Sequence, residues 1–261
     1  MDFDQAAARN MFDLRGKLAV VTGASRGIGL AIAKGLAAFG ADIVGVSAQL
    51  PASGSEVEGC VKALGREFTG FRVDFSDEQA VASLGRELVD MSRPVDILVN
   101  NAGSIVRGAA ETLSSDVWHR LIQVDLSSQF VLTRAVGGEM VARGRGKIIF
   151  TASVLSFQGG YKVAAYAASK SGVAGLTRAL ANEWAGRGVN VNAIVPGYIS
   201  TDFAVALRED PERNAAILGR IPAGRWGQPA DMVGVSVFLA SPASDYVHGA
   251  LVPVDGGWLG S

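Results

Sequence analysis

The sequence predicts one doubly wound α/β domain, a seven-stranded parallel sheet with helices on both faces, and three observations predict it. Short apolar, β-rich runs alternate with helical patterns along nearly all 261 residues. The runs are apolar on successive residues, the pattern of strands covered on both faces. The intervening segments are long enough for the helical crossovers that parallel pairing requires. With 49% hydrophobic and 19% charged residues the chain can bury one sizeable core and is unlike a disordered segment. Ligands in such sheets bind beyond the carboxyl ends of the strands, so chemistry is expected just after each run.

Residues 1–15 read as a surface extension ahead of a domain spanning 16–261. The extension carries Asp2, Asp4 and Asp13 and no continuous apolar stretch, so it makes neither a signal peptide nor a membrane span. The first strand, expected over 18–21, runs into Thr22-Gly23-Ala24-Ser25-Arg26-Gly27-Ile28-Gly29, with a helix beginning around Leu30. Glycines at Gly23, Gly27 and Gly29 allow a tight turn, and a helix N-terminus offers free N–H donors and partial positive charge. Together these suit the pyrophosphate of a dinucleotide, with Ser25, Arg26 and Ile28 beside it.

After the second strand, 42–46, an acid would hold the ribose 2′-hydroxyl of NAD and an arginine the 2′-phosphate of NADP. The chain has Ser47-Ala48-Gln49 instead, which leaves NAD and NADP both open. The third strand is expected over 71–74. Its last residue, Asp74, can accept from an adenine amino group or cap a turn. The fourth, 97–99, leads into Asn100-Asn101-Ala102-Gly103.

The fifth strand, 147–150, is followed by Ser153. Tyr166 comes thirteen residues after that serine, and Lys170 lies one helical turn beyond, on the same helix face. A tyrosine is a poor acid or base near neutrality, its reference pKa being ~10. A neighbouring ammonium favours the phenolate. Lys170 can do this while holding a nicotinamide ribose, and Ser153 can hydrogen-bond a substrate oxygen as charge develops on it. These three residues form a candidate acid/base set. The sixth strand, 189–195, precedes Pro196-Gly197, and the seventh is expected over 251–254. Between them a helical-looking stretch over 202–219 and a Pro/Gly-rich loop over 221–229 form an insertion, near 200–228, placed to act as a lid.

Lys plus Arg number 24 against 25 Asp plus Glu, which gives no basic surface for nucleic acid or an anionic membrane and favours a small-molecule partner. The single cysteine, Cys60, can form no internal disulfide and fits a reducing, cytoplasmic setting. No Cys/His cluster suggests a metal site. His119 and His248 have no carboxylate or cysteine neighbours in sequence and read as structural.

The glycine turn, the Asn100 to Gly103 run, the set Ser153, Tyr166 and Lys170, and Pro196-Gly197 together resemble the short-chain dehydrogenase/reductase family over essentially residues 16–258. The resemblance implies a hydride transfer between a nicotinamide cofactor and a hydroxyl or keto carbon, in a homotetramer of single domains. It implies that Asn101, Ala102 and Gly103 line the adenosine ribose side, that Pro196 and Gly197 border the cofactor, and that Ile199 and Thr201 meet the carboxamide. The family's catalytic asparagine corresponds to Asp125 here. In the family that residue's main-chain carbonyl holds a water leading to the lysine, so Asp125 can keep the relay through its backbone while adding a charge.

The downstream half is similar to one branch of the family, the 2-dehydro-3-deoxy-D-gluconate 5-dehydrogenases. The similar stretches include Ser156-Phe157-Gln158-Gly159-Gly160, Ala181 to Ala185, Arg220 to Gly227, Ala243 to Val247 and Asp255 to Leu259. That branch implies a keto-deoxy sugar acid as substrate and NAD as cofactor, with NADP still open. A sugar acid carries a carboxylate, so an arginine should reach the pocket; Arg107 and Arg208 are the candidates, with Gln158 also at the substrate. Two other readings stand beside this one. A 3-oxoacyl-carrier-protein reductase would use NADPH, and a non-catalytic dinucleotide sensor would keep the turn but have no need of the three-residue set.

Overall fold

In the computed structural model, which describes residues 10–261, the sheet is built from seven strands: β1 (Leu18–Thr22), β2 (Asp42–Val46), β3 (Phe68–Phe71), β4 (Ile97–Asn100), β5 (Gly146–Thr151), β6 (Val189–Pro196) and β7 (Leu251–Val254). They are parallel throughout, in the order β3-β2-β1-β4-β5-β6-β7. The order reverses between β1 and β4, so the loops leaving those strands diverge and open a crevice at their carboxyl ends.

Successive residues along the central strands serve two cores. Val20, Val44, Leu98, Ile148 and Val191 join one, while Ala19, Val21, Ile43, Val99, Ile149 and Ile194 join the other. This two-sided burial explains the unbroken apolar runs. Each fully buried large side chain, such as Leu98 or Phe150, is worth about 1.5–3 kcal/mol of transfer free energy. One core is covered by α1 (Gly27–Ala38) and α9 (Val233–Ala240). The other is covered by α3 (Glu78–Val89), α5 (Ser128–Arg143) and α6 (Ala164–Trp184). The smaller helices are α2 (Glu56–Ala63), α4 (Ser115–Ile122), α7 (Val205–Arg208) and α8 (Pro211–Leu218).

Three boundaries differ from the sequence expectation. The third strand lies earlier, at Phe68–Phe71, paired with Ile43 to Val46. As an edge strand with an outward-facing centre it carries little apolar signal, and Arg72 already turns out to bond the Ala48 carbonyl at 3.1 Å. Asp74 is thus not a strand end. It accepts from the Ser76 amide at 2.8 Å as the first residue of a turn. The first helix starts at Gly27 rather than Leu30, so Gly27 and Gly29 sit inside its first turn. Residues 1–9 of the expected extension lie outside the described residues. Leu14, at its end, is fully buried and joins the α1 side core, so the ordered domain begins before residue 16. None of the helices among the described residues is long and apolar enough to cross a membrane.

Candidate active site

A cleft of about 870 Å³ opens above the carboxyl ends of β1, β4, β5 and β6. Its β1 wall is the glycine turn. Arg26 is extended at φ −161° and its side chain leaves the end of α1 uncapped, so the helix presents its first N–H groups to the cleft. Gly27 has φ +56°, and at Gly29 a Cβ would lie 2.1 Å from the Gly23 carbonyl oxygen and 2.5 Å from Asn101 Nδ2. Only glycine permits that approach. Asn101 straps the turn down. Its Nδ2 donates to the Thr22 carbonyl at 3.0 Å, while the Thr22 hydroxyl accepts from both the Asn101 and Ala102 amides at 2.9 Å. At the tip of β2, Ser47 shares a 2.9 Å hydrogen bond with Ser25.

The catalytic wall is made by the loop after β5 and by α6. Ser153 begins a 3₁₀ turn (Val154–Ser156), and its hydroxyl accepts from the Leu155 amide at 3.1 Å, so its own proton is free to donate. Ser156 completes the turn. Its hydroxyl accepts from the Ser153 amide at 3.3 Å and donates to the Lys170 carbonyl at 2.7 Å, fixing the serine loop to the helix that bears the lysine. Tyr166 and Lys170 share a face of α6, with Lys170 Nζ 5.6 Å from the phenol ring centre. The ammonium donates to the Thr151 carbonyl at 2.9 Å and is buried.

Asp125 lies beneath this set and does not itself line the cleft. It sits in a π-helical turn, Gln123–Ser127, between α4 and α5. Such a turn breaks the regular carbonyl ladder and is common at functional sites. The carboxylate is fully buried, accepts from the Ser104 amide at 2.8 Å through Oδ1, and holds Oδ2 4.0 Å from Lys170 Nζ. Oδ2 has no hydrogen-bond partner among the described residues. Burial pushes Asp125 up to about 6 against the pull of Lys170, and it pushes Lys170 down against the pull of Asp125. The Tyr166 phenol is raised, first by burial and next by the Asp125 charge; Ser153 and then Arg107 draw it back.

Every expected cofactor position lines the cleft: Gly23, Ser25, Arg26, Gly27, Ile28, Gly29, Ser47, Asp74, Asn101, Ala102, Gly103, Tyr166, Lys170, Pro196, Gly197, Ile199 and Thr201. Ser153, Gln158 and Arg107 line it too. Arg208 does not: it ends α7 exposed to solvent, because the cleft-facing side of the insertion is formed by Phe203, Ala204, Leu207 and α8. The sequence reading missed Arg213 and Arg220, both in the lining, and missed Thr22, Thr151, Ser104 and Ser156, which hold the set through backbone bonds. The helical stretch over 202–219 carried a signal for Arg213, and the Arg220 to Gly227 stretch one for Arg220. The backbone bonds leave none.

A family model described as Enoyl-(Acyl carrier protein) reductase matches residues 23–259. The chain is 60% identical over 249 residues to the 2-dehydro-3-deoxy-D-gluconate 5-dehydrogenase of Pseudoalteromonas atlantica, covering 95% of this chain and 98% of that one. It is 54% identical over 248 residues to the enzyme of that name from Bacillus subtilis, covering 95% and 96%. A crystal structure from Beutenbergia cavernae, described as an NAD(P) dependent gluconate 5-dehydrogenase with NADP bound at low occupancy, superimposes with a TM-score of 0.93 at 51% identity, covering 96% of this chain and 100% of that one.

Proposed function

The chain belongs to the short-chain dehydrogenase/reductase family, and from that premise we propose that it oxidises a hydroxyl of 2-dehydro-3-deoxy-D-gluconate, or a related keto-deoxy sugar acid, and reduces the corresponding ketone. It is an NAD(P)-dependent oxidoreductase. The observation that carries the reading is the meeting of Ser153, Tyr166 and Lys170 in the same cleft as an uncapped, glycine-lined helix end. A protein that only sensed a dinucleotide would have no need of a buried ammonium beside a phenol. The relatives' names supply the substrate class.

The residues fit a dinucleotide. The free amides at the start of α1 suit the pyrophosphate, Ser47 the adenosine ribose, Lys170 the nicotinamide ribose, and Ile199 and Thr201 the carboxamide. A bound dinucleotide would supply the hydride acceptor for the alcohol carbon at its nicotinamide ring. Tyr166 as phenolate takes the proton from the hydroxyl, and in reduction it returns one as phenol. Lys170 stands 5.6 Å from the phenol ring, but the pull on Tyr166 towards the phenolate comes from Ser153 and then Arg107, against burial and the Asp125 charge, and not from the lysine as the spacing predicts. Ser153 donates to the substrate oxygen.

Within the NAD(P) class we assign NAD. Arg26, the basic residue of the turn, already pairs with Asp202 at 2.9 Å, which reduces its call on a 2′-phosphate. The pair is exposed and therefore weak, and no acid follows β2 to repel the phosphate, so the preference should be modest. The NADP in the Beutenbergia cavernae structure favours the opposite choice. The lone cysteine supports a cytoplasmic location, and the family resemblance supports a homotetramer, which light scattering tests. The deciding assay follows dinucleotide reduction with a panel of sugar acids and both cofactors. Turnover of an acetoacetyl thioester with NADPH but of no sugar acid would overturn the proposal in favour of the carrier-protein reductase, and a kcat/KM favouring NADP about tenfold, roughly 1.4 kcal/mol, would overturn the choice of NAD.

A further inference from the structure

Three arginines from three segments meet at the substrate end of the cleft: Arg107 after β4, Arg213 in α8 and Arg220 just beyond it. None forms a salt bridge to a carboxylate among the described residues. The acids lining the cleft are Asp74 and Asp202. Asp202 is bonded to Arg26 of the glycine turn, and Asp74 is engaged in its own turn near β3. Three like charges collected without a counter-charge repel one another, and an entering anion relieves that repulsion.

The guanidinium groups are held in place rather than loose. Arg220 lies 3.9 Å above the Trp258 ring, which occupies its face and leaves its N–H edge free for a planar oxyanion. Arg213 is 5.4 Å from the Tyr161 ring. It stands in the first turn of a helix capped by Asp210, whose carboxylate accepts from the Glu212 and Arg213 amides, both at 3.1 Å. The next residue, Asn214, accepts from Trp226 at 2.7 Å. Arg107 spends one N–H on the Phe203 carbonyl at 3.1 Å. The floor between them is Tyr198, packed on Trp226 and Trp258; its phenol is raised by burial, while Arg220, Arg213 and Arg107 each draw it down. Lys162, next to Tyr161, has φ +59°, a left-handed conformation found at no other non-glycine residue among those described, and its carbonyl takes the Gly108 amide at 2.9 Å. Strain of this kind persists where the surroundings impose it, commonly at ligand clamps. Here it ties the Arg107 loop to the Tyr161 loop.

We propose that Arg213 and Arg220, facing Arg107, form the subsite that binds the substrate's carboxylate, at the end of the molecule remote from the carbon being oxidised. The subsite selects acid sugars over neutral ones of the same shape. This inference rests on the sugar-acid reading above and supplies its specificity residues. Arg107 already spends one N–H on the Phe203 carbonyl, so Arg213 and Arg220 carry the remote end. Arg208 has no part in it.

The test compares a keto-deoxy sugar acid with its uncharged primary amide. In Arg213→Gln or Arg220→Gln the KM for the acid should rise about tenfold, and in the double variant about a hundredfold, with the loss in KM more than in kcat, as expected for charge-assisted bonds made equally in ground and transition states. The KM for the amide should move far less, and Arg220→Lys should recover part of the loss. A second readout needs no turnover: calorimetric binding of D-gluconate to the NAD-loaded protein, wild type against the double variant. Wild-type turnover with an unmoved KM and unmoved gluconate affinity in the double variant overturns the subsite and leaves the reaction standing. So does an equal loss for acid and amide. If wild type oxidises no sugar acid, gluconate binding that disappears in the double variant upholds the subsite and removes the reaction, whereas gluconate that binds neither protein removes both.

Discussion

On the β1 side of the cleft the surface offered to a ligand is almost all backbone, whereas on the β5 side it is side chains with buried charge. The glycine turn works by shape: an uncapped helix end, a positive φ at Gly27, and the close stacking of Gly29 against Gly23 and Asn101. Its one prominent charge, Arg26, is exposed and already paired. The catalytic wall works by electrostatics. Lys170 and Asp125 are buried 4.0 Å apart, each shifted towards its neutral form, and backbone groups of Thr151 and Ser104 hold them. Substitutions should therefore fail differently on the two sides, through sterics on one and through proton energetics on the other.

The largest effect is expected at Gly29. An alanine Cβ would lie 2.1 Å from a backbone oxygen that no rotamer change can move. Overpacking of that order costs about 3 kcal/mol or more. Gly29→Ala should lose dinucleotide binding in a fluorescence titration and lower Tm on the order of 10 °C. Near-normal binding would mean that the turn tolerates side chains and the contrast is wrong.

Tyr166→Phe should do the reverse. Dinucleotide affinity and Tm should stay close to wild type while kcat falls by ~10² or more, the usual worth of a positioned acid or base. Retained turnover would remove Tyr166 from the mechanism. A smaller effect is expected at Ser156, which touches neither proposed ligand but holds Ser153 and the Lys170 carbonyl by two hydrogen bonds. Ser156→Ala should cost about 1–2 kcal/mol in chemical denaturation and lower kcat several-fold, with Ser156→Thr restoring both. An unchanged kcat would show that the Ser153 loop needs no such fastening.

The same contrast explains what could be read from the sequence. The glycine turn, the serine at a strand end and the Tyr166/Lys170 spacing were legible because each is a local pattern of residue types with a local physical reason. Six of the seven strands fall where their unbroken apolar runs place them; the third, with a half-exposed FTGF pattern at the sheet edge, does not. The first helix begins earlier than its apolar run because glycines can start a helix without contributing to its periodicity. What the sequence could not display is pairing across distance. Nothing near Asp125 announces a π-helical turn or a bond to Ser104, and nothing near Arg213 announces Tyr161 and Tyr198 opposite it. Arg208 lies in the insertion that the sequence marks as a lid, and helix phase places it in solvent.

Asp125 gives the finest discrimination, because there the two kinds of failure separate within one residue. Asparagine has the same shape and can still accept from the Ser104 amide, so Asp125→Asn should keep the fold and keep kcat at the optimum within about tenfold. Its charge acts on two neighbours. Removing it lowers Lys170, whose proton Asp125 helps retain, and it lowers Tyr166, whose phenolate Asp125 opposes. If Lys170 stays cationic, the direct effect on the phenol decides the outcome, and the pH–rate curve for alcohol oxidation moves to lower pH. The carboxyl itself sits at about 6, above the ordinary aspartate value of 3.8. Below that pH it is protonated and already neutral, so the variant and wild type should converge there, and the two curves should separate as pH rises through it. A parallel displacement at every pH would show that geometry, not charge, distinguishes the two residues. A shift upward would mean that Asp125 works mainly by keeping Lys170 protonated, and none at all would put it outside the proton path.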